Sequence, residues 1–137
     1  MRVSYFDKRA EPMARIGPML LEYEMKRVMW IEYKGDGIVG PARIGWVNVR
    51  DKGKRLDYRN QSFRSQRGHG FKSNYYDIKT GDQYWISGCR KDGANALYNT
   101  DVQVDDDALE EYWVNIRKDP KKKSTKRFRA RGKYSSN

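Results

Sequence analysis

Basic and aromatic side chains alternate between residues 58 and 76, a combination that could hold a nucleic acid. The cations are Arg59, Arg64, Arg67 and Lys72, and the rings are Tyr58, Phe63, Phe71, Tyr75 and Tyr76. Single-stranded nucleic acids bind such surfaces because cations contact phosphates and rings stack on bases. The alternative is that the rings form a core while the cations face solvent. For Tyr58 and Phe63 we favour the core, because a small barrel needs large inward side chains.

A second basic segment, Lys-Lys-Lys-Ser-Thr-Lys-Arg-Phe-Arg, spans residues 121–129. Cations that neutralise phosphates release counterions, so this segment favours binding to any polyanion. It has no apolar helical face and no lipidation signal, so we expect nucleic acid rather than a membrane as its partner. A solubilising tail without an assigned partner is the alternative.

Two further arrangements could do chemistry. Residues 67–70, Arg-Gly-His-Gly, could cradle a phosphate, although a plain strand connection accounts for the same glycines. His69 could act as a base for Cys89, but such a pair also needs an orienting third group, which the sequence does not show. We therefore expect no catalytic residue, no metal and no cofactor, and we prefer a structural role for the Cys89 thiol. An enzyme that acts on a phosphorylated small molecule through the His69 loop is the least favoured hypothesis.

Positive charge is concentrated in two segments of this 137-residue chain, whose formal net charge is +11. Residues 117–137 hold ten Lys or Arg and one acid, and residues 50–72 hold eight and two. Residues 101–111 hold six acids and no base, so the basic C-terminal segment could lie over them. The chain has one Cys and one His, and it has no apolar run long enough to span a membrane. Residues 1–12 lack the apolar segment of a secretory signal peptide. These features favour a cytoplasmic protein.

Turn residues divide the middle of the chain into short strands. Residues 26–33 and 42–49 predict a hairpin, followed by a third strand from Leu56 to Phe63 that is interrupted near Asn60. Residues 73–78 and 83–89 flank Lys-Thr-Gly-Asp, a turn of the length that tight hairpins use. We therefore predict five antiparallel strands.

Beyond a loop at residues 90–95, the apolar spacing becomes that of a helix. Asp105 or Asp106 could cap its start, and Pro120 ends it. The positions that share its apolar face are Leu109, Tyr112, Trp113 and Ile116. We expect this face to dock on the sheet rather than on a partner protein.

These elements predict a mainly β fold. We expect a small five-stranded antiparallel half-open barrel, SH3-like or OB-like, capped by one C-terminal helix. A curled sheet with the helix across it is the alternative. Residues 1–25 would form a loose N-terminal extension, residues 26–118 the single domain, and residues 119–137 a disordered basic tail.

From about residue 27 to residue 117 the chain resembles an uncharacterised family of small bacterial proteins. The resemblance is carried by residues 30–32 (Trp-Ile-Glu), 40–45 (Gly-Pro-Ala-Arg-Ile-Gly), 71–75 (Phe-Lys-Ser-Asn-Tyr), 84–93 (Tyr-Trp-Ile-Ser-Gly-Cys-Arg-Lys-Asp-Gly) and 110–113 (Glu-Glu-Tyr-Trp). Members are often mislabelled 1-deoxy-D-xylulose-5-phosphate synthase. That synthase is similar to transketolases, which hold thiamine diphosphate and Mg²⁺ through a motif that starts Gly-Asp-Gly and ends in Asn.

Gly35-Asp36-Gly37 and Asn60 imitate the thiamine diphosphate motif, but an Asp-Gly pair in a hairpin turn needs no cofactor. We therefore reject the synthase assignment, and the resemblance supplies no function.

The sequence predicts a small non-enzymatic binding module for RNA or DNA. The alternative is a protein-interaction or regulatory adaptor whose basic tail is incidental. The predicted nucleic-acid-binding residues are Arg55, Arg59, Arg64, Arg67, Lys72, Tyr75, Lys121, Lys122, Lys123, Lys126, Arg127 and Arg129.

Overall fold

The computed structural model describes residues 25–35, 37, 40–66 and 73–134. Of the predicted N-terminal extension, only Met25 falls within this part, and it begins the first strand. The strands are β1 (Met25–Tyr33), β2 (Ala42–Arg50), β3 (Arg55–Tyr58), β4 (Gln61–Ser65), β5 (Tyr75–Asp77), β6 (Gln83–Gly88), β7 (Thr100–Val104) and β8 (Arg127–Ala130).

Six of these strands close into a barrel. Their order is β1-β6-β5-β4-β3-β2, and β2 pairs with β1 to complete the ring. All six pairings are antiparallel. The prediction of a mainly β antiparallel barrel is confirmed, whereas the half-open ring of five strands is wrong. The interruption predicted near Asn60 is a hairpin turn, because Tyr58 pairs with Gln61, so one predicted strand is two.

Side chains that alternate along the strands fill the barrel. Tyr58 is 2% exposed and Phe63 is fully buried, so the prediction that both point inward is confirmed. The other buried members of this inner core are Met29, Ile31, Val47, Leu56 and Ile86.

One edge of β2 is shared by two strands. Residues 48–50 pair with β3, whereas residues 42–44 pair in parallel with β7. β8 then pairs with β7, so these two strands extend the sheet away from the barrel. The sequence patterns do not predict β7 or β8.

One helix, residues 106–116, follows β7. It begins as a 3-10 turn, Asp106–Ala108, and ends as a π-helical segment, Glu111–Ile116. The π-helical spacing appears in the bond that the Arg117 amide donates to the Tyr112 carbonyl at 2.8 Å. The predicted helix is therefore confirmed in position.

The helix packs against the outer wall of the barrel rather than over one of its ends. Tyr112 and Trp113 are each 1% exposed, so their predicted docking on the sheet is confirmed. They share an outer core with Trp30 of β1 and Ile44 of β2. The protein therefore has two apolar layers, one inside the barrel and one between its wall and the helix.

The prediction of a disordered tail from residue 119 is wrong for the described part of that segment. A 3-10 turn, Pro120–Lys122, precedes β8, and Phe128 and Ala130 of β8 pack into the outer core. Composition alone does not predict this strand, because only two of its side chains are apolar. These two alternate along the strand, so both face the aromatic rings of the helix and pack against them. Residues 135–137 lie outside the described part.

Glu32 and Lys34, at the end of β1, form a buried ion pair. The Lys34 Nζ lies 2.6 Å from the Glu32 Oε2, and both side chains are 3% exposed. The Trp30 indole donates to the Glu32 Oε1 at 3.0 Å. The pair and the indole therefore form one buried polar chain along a single face of β1.

Candidate nucleic-acid interface

Three arginines lie side by side on neighbouring strands. Arg50 of β2 pairs with Arg55 of β3, which pairs with Arg64 of β4. All three face outward, because the adjoining positions Leu56 and Phe63 point into the barrel. Like charges directly opposite one another on a sheet repel, so this row needs a counter-charge.

Asp57 supplies part of that counter-charge. Its Oδ2 lies 2.8 Å from the Arg50 Nε, and its Oδ1 lies 3.4 Å from the Arg55 Nε. The Ser62 hydroxyl donates to the same carboxylate at 2.7 Å. One carboxylate thus serves two guanidinium groups, and Arg64 has no ion-pair partner among the described residues.

The arginine row borders a cavity of about 1050 Å³ at the end of the barrel where β2 passes to β3. We call this cavity the basic mouth. Its apolar lining includes Met29, Leu56 and the Tyr75 ring. Its charged lining consists of Arg27, Arg50, Lys52, Arg55, Arg64 and one acid, Asp51. Cations therefore surround an apolar and aromatic floor.

The turn between β2 and β3 holds Lys52 at the rim of the basic mouth. Asp51 and Lys52 both adopt left-handed conformations, with φ of 51° and 57°, ahead of Gly53 at 91°. Such conformations are costly for residues other than glycine. The Tyr75 hydroxyl donates to the Gly53 carbonyl at 2.6 Å and ties the turn to β5. Burial raises the pKa of Tyr75, so the hydroxyl keeps the proton that this bond requires.

Arg59 lies apart from the basic mouth and has a carboxylate partner. Its Nε donates to the Asp105 Oδ2 at 3.2 Å, and the Tyr58 hydroxyl donates to the same oxygen at 2.6 Å. Arg43 reaches the other carboxylate oxygen at 2.7 Å. Asp105 is buried, so this cluster joins the β3–β4 turn to the start of the helix. We therefore assign Arg59 to the framework of the protein.

The basic C-terminal segment lies over the acidic one, as the charge pattern allows. Lys126 lies 3.3 Å from Asp106, and Arg129 lies 2.9 Å from Asp101. Arg127 lines a different cavity, of about 700 Å³, at the opposite end of the barrel. Lys121, Lys122 and Lys123 belong to the turn after the helix. Exposed ion pairs contribute at most about 1 kcal/mol, so phosphates could replace these carboxylates as partners.

The remaining predicted residues bear less on the interface. Arg67, Lys72 and the His69 loop lie outside the described residues. Burial raises the pKa of the Cys89 thiol to about 12, which keeps it protonated at neutral pH. Within residues 25–35, 37, 40–66 and 73–134, no three His, Cys, Asp or Glu side chains are grouped to hold a metal, and no helix is long and apolar enough to cross a membrane.

Comparison of the chain with protein-family models, with curated proteins and with solved structures finds no match. The interface must therefore be judged on its geometry. The structure brings together Arg55, Arg64 and Tyr75 and adds Arg27, Arg50 and Lys52. Arg27 could not have been found from the sequence, because it lies on a distant strand, whereas Arg50 and Lys52 belong to the basic segment at residues 50–72.

Proposed function

We propose that this protein is a non-enzymatic module that binds RNA or DNA through the basic mouth. The observation that carries the proposal is the row of Arg50, Arg55 and Arg64, which are neighbours on three strands. Asp57 pairs with Arg50 and Arg55, and no ion-pair partner of Arg64 lies among the described residues. A phosphate backbone brings closely spaced negative charges to such a row.

The floor of the basic mouth supports the same proposal. The Tyr75 ring lines the cavity together with Met29 and Leu56, and its hydroxyl is held by the Gly53 carbonyl. An apolar and aromatic floor inside a ring of cations suits an unpaired base whose phosphates contact the rim. We therefore expect single strands to bind more tightly than duplexes of the same length.

The first experiment compares the double variant Arg55→Ala/Arg64→Ala with the unchanged protein in a salt titration. Binding of labelled single- and double-stranded RNA and DNA is followed by fluorescence anisotropy. We expect affinity to fall at least about tenfold and the slope of log affinity against log salt to shrink by about two. Lys79→Ala/Lys91→Ala is the matched control, because both lysines are exposed and lie outside the basic mouth.

Asp57→Asn tests the same surface, but here we expect the affinity for nucleic acid to rise. Removing the carboxylate frees Arg50 and Arg55 for phosphates, so we expect tighter binding, with fold integrity checked by circular dichroism. Equal losses in the Arg55/Arg64 variant and the lysine control would overturn the proposal, because binding would then follow net charge alone. Unchanged binding in the Arg55/Arg64 variant would also overturn it and would favour a protein partner.

A further inference from the structure

A second basic cavity lies between the end of the helix and β8. We call it the C-terminal groove, and its volume is about 510 Å³. The cations that line it are Arg117, Lys122, Arg129, Arg131 and Lys133. Asp92 is the one acid among the described residues of its lining. The end of the helix, the turn after it and the stretch from β8 to Lys133 therefore bring positive charge to one concave surface.

The nearby carboxylates are already engaged. Arg90 contacts both oxygens of Asp92, at 3.0 and 3.1 Å, and the Ala94 amide donates to one of them at 2.9 Å. The hydrogen bonds from Arg90 lower the pKa of Asp92 to about 2, so the carboxylate stays charged and its charge is matched by Arg90. Asp101 is the partner of Arg129.

Three of the lining cations have no carboxylate partner in the part of the chain that the structure describes: Arg117, Arg131 and Lys133. The charge of Lys122 is only weakly neutralised, because its Nζ lies 3.9 Å from the nearest Asp119 oxygen. The groove therefore gathers positive charge that the described protein groups do not neutralise, and a bound anion would relieve that repulsion.

Aromatic rings, rather than an acid, hold the Arg117 guanidinium in place. It lies over the Trp113 ring at 5.5 Å and over the Tyr112 ring at 5.9 Å, and it donates to the Tyr112 hydroxyl at 3.2 Å. Its Nε is buried with no hydrogen-bond partner among the described residues. The Lys122 Nζ lies over the same Trp113 ring at 5.5 Å, so one indole positions two cations.

Gly93 completes this arrangement from the other side. A Cβ at Gly93 would overlap an Arg117 guanidinium nitrogen, and the residue has a φ of +76°. The absence of a side chain thus leaves room for the guanidinium. Arg117 is fixed before any ligand arrives, which reduces the entropy cost of binding.

We propose that the C-terminal groove binds a phosphate group, independently of the basic mouth. A phosphate offers several oxygens to a planar guanidinium and to lysine ammonium groups, whereas a single carboxylate offers two. The phosphate could belong to a free nucleotide or to a polynucleotide. The two sources share the same chemistry, and the experiment separates them.

The test titrates the full chain with pyrophosphate by calorimetry and follows the Trp113 indole N–H by NMR. Arg131→Gln/Lys133→Gln removes two exposed cations of the groove. Lys121→Gln/Lys123→Gln removes two cations from the adjoining turn that do not line it, and it is the matched control. We expect the groove variant to bind at least about tenfold more weakly and the control to bind within about twofold of the unchanged protein.

Gly93→Ala tests the geometry without changing the charge. The added Cβ displaces the Arg117 guanidinium, so we expect pyrophosphate binding to weaken while the circular dichroism spectrum stays unchanged. If Gly93→Ala changes the circular dichroism spectrum, the fold is disturbed, and the Arg131→Gln/Lys133→Gln variant then serves as the test of the proposal. Equal weakening in that variant and in the lysine control, equal binding of malonate, or the absence of both heat and an indole shift would overturn the proposal.

Two further arms identify the source of the phosphate and separate this proposal from the previous one. Adenosine monophosphate that shifts the Trp113 indole as pyrophosphate does supports a free nucleotide. If adenosine monophosphate causes no shift and an oligonucleotide of about ten residues does, the result supports a polynucleotide. The Arg55→Ala/Arg64→Ala variant should bind pyrophosphate normally. Unchanged nucleic-acid binding in that variant, with normal pyrophosphate binding, would therefore overturn the proposed function alone.

Discussion

At the scale of single residues, Asp105 ties the start of the helix to side chains from two other parts of the chain. Arg43, Tyr58 and Arg59 all bond to its carboxylate, although the sequence suggests that Asp105 could be a helix cap. Arg59 adopts a φ of 53° in this arrangement, and the ion pair offsets part of that cost. A carboxylate before a helix thus has two possible uses, and only the tertiary structure decides between them.

The buried pair of Glu32 and Lys34 gives the sharpest prediction at this scale. Lys34→Met leaves the Glu32 carboxylate buried without its cation, which we expect to lower the free energy of unfolding by about 3–5 kcal/mol. Urea denaturation measures the loss. The double variant Glu32→Leu/Lys34→Met removes both charges and should recover part of it. A Lys34→Met protein within about 1 kcal/mol of the unchanged one would contradict this account.

Alternation along β1 predicts that Glu32 lies on the face opposite Ile31, but it cannot predict that Glu32 is buried. The helix, β7 and β8 cover that face, and the first of them, β7, begins 68 positions after Glu32, at Thr100 (100 − 32 = 68). A one-sided strand pattern therefore locates a side chain on a sheet without revealing whether another layer lies above it.

At the scale of elements, β8 shows how little apolar surface is needed to seat a basic strand. Phe128 lies in contact distance of the helix aromatics, with its ring 5.3 Å from that of Trp113. The flanking Arg127 and Arg129 point the other way and are exposed. Composition averaged over residues 119–137 predicts disorder, because the two apolar side chains of β8 are outnumbered by cations.

Phe128→Ala should therefore destabilise the whole protein rather than merely loosen a tail. Replacing a fully buried Phe by Ala lowers the free energy of unfolding by about 3–5 kcal/mol. Phe128 is half-buried, so we expect a loss of about 2 kcal/mol. Thermal and urea denaturation measure it. Arg127→Ala, one position away on the exposed face, should stay within about 0.5 kcal/mol of the unchanged protein. Equal stability of the two variants would show that β8 does not support the core.

The strands of the barrel could be predicted more fully than the outer layer. Glycine turns and alternation locate β1, β2, β5 and β6 to within two residues, because these hairpins are local. The pairing of β1 with β6 and of β2 with β7 joins distant segments, and no local pattern reports it. The same limit applies to the interface, where Arg27 of β1 and Arg64 of β4 line one cavity although 37 positions separate them in the chain (64 − 27 = 37).

At the scale of the whole molecule, buried tyrosines couple stability to alkaline pH. Burial raises the pKa of Tyr58, Tyr75 and Tyr112 above the ordinary value of 10.0. The unfolded chain then releases these protons at lower pH than the folded protein does. Their stabilising contribution is complete below about pH 10 and is lost as the pH rises through the raised values.

We therefore expect the melting temperature to be nearly constant from about pH 8 to about pH 9.5 and to fall steeply above about pH 10. Scanning calorimetry across this range measures the fall. Tyr75→Phe removes one of the titrating groups and should make the fall shallower. Tyr134→Phe, at an exposed position, should leave it unchanged. The same slope in all three proteins would show that buried tyrosine ionisation does not drive alkaline unfolding.

The order of the strands along the chain also bears on how the protein forms during synthesis. All six barrel strands lie within residues 25–88, whereas β7, the helix and β8 follow between residues 100 and 130. Since chains are made from the amino terminus, the barrel can close before its outer layer has left the ribosome. During that interval the outer face of the barrel, which carries Trp30 and Ile44, is exposed to solvent. The nascent barrel thus exposes a transient apolar surface that chaperones could recognise, and the last strand made, β8, completes its cover.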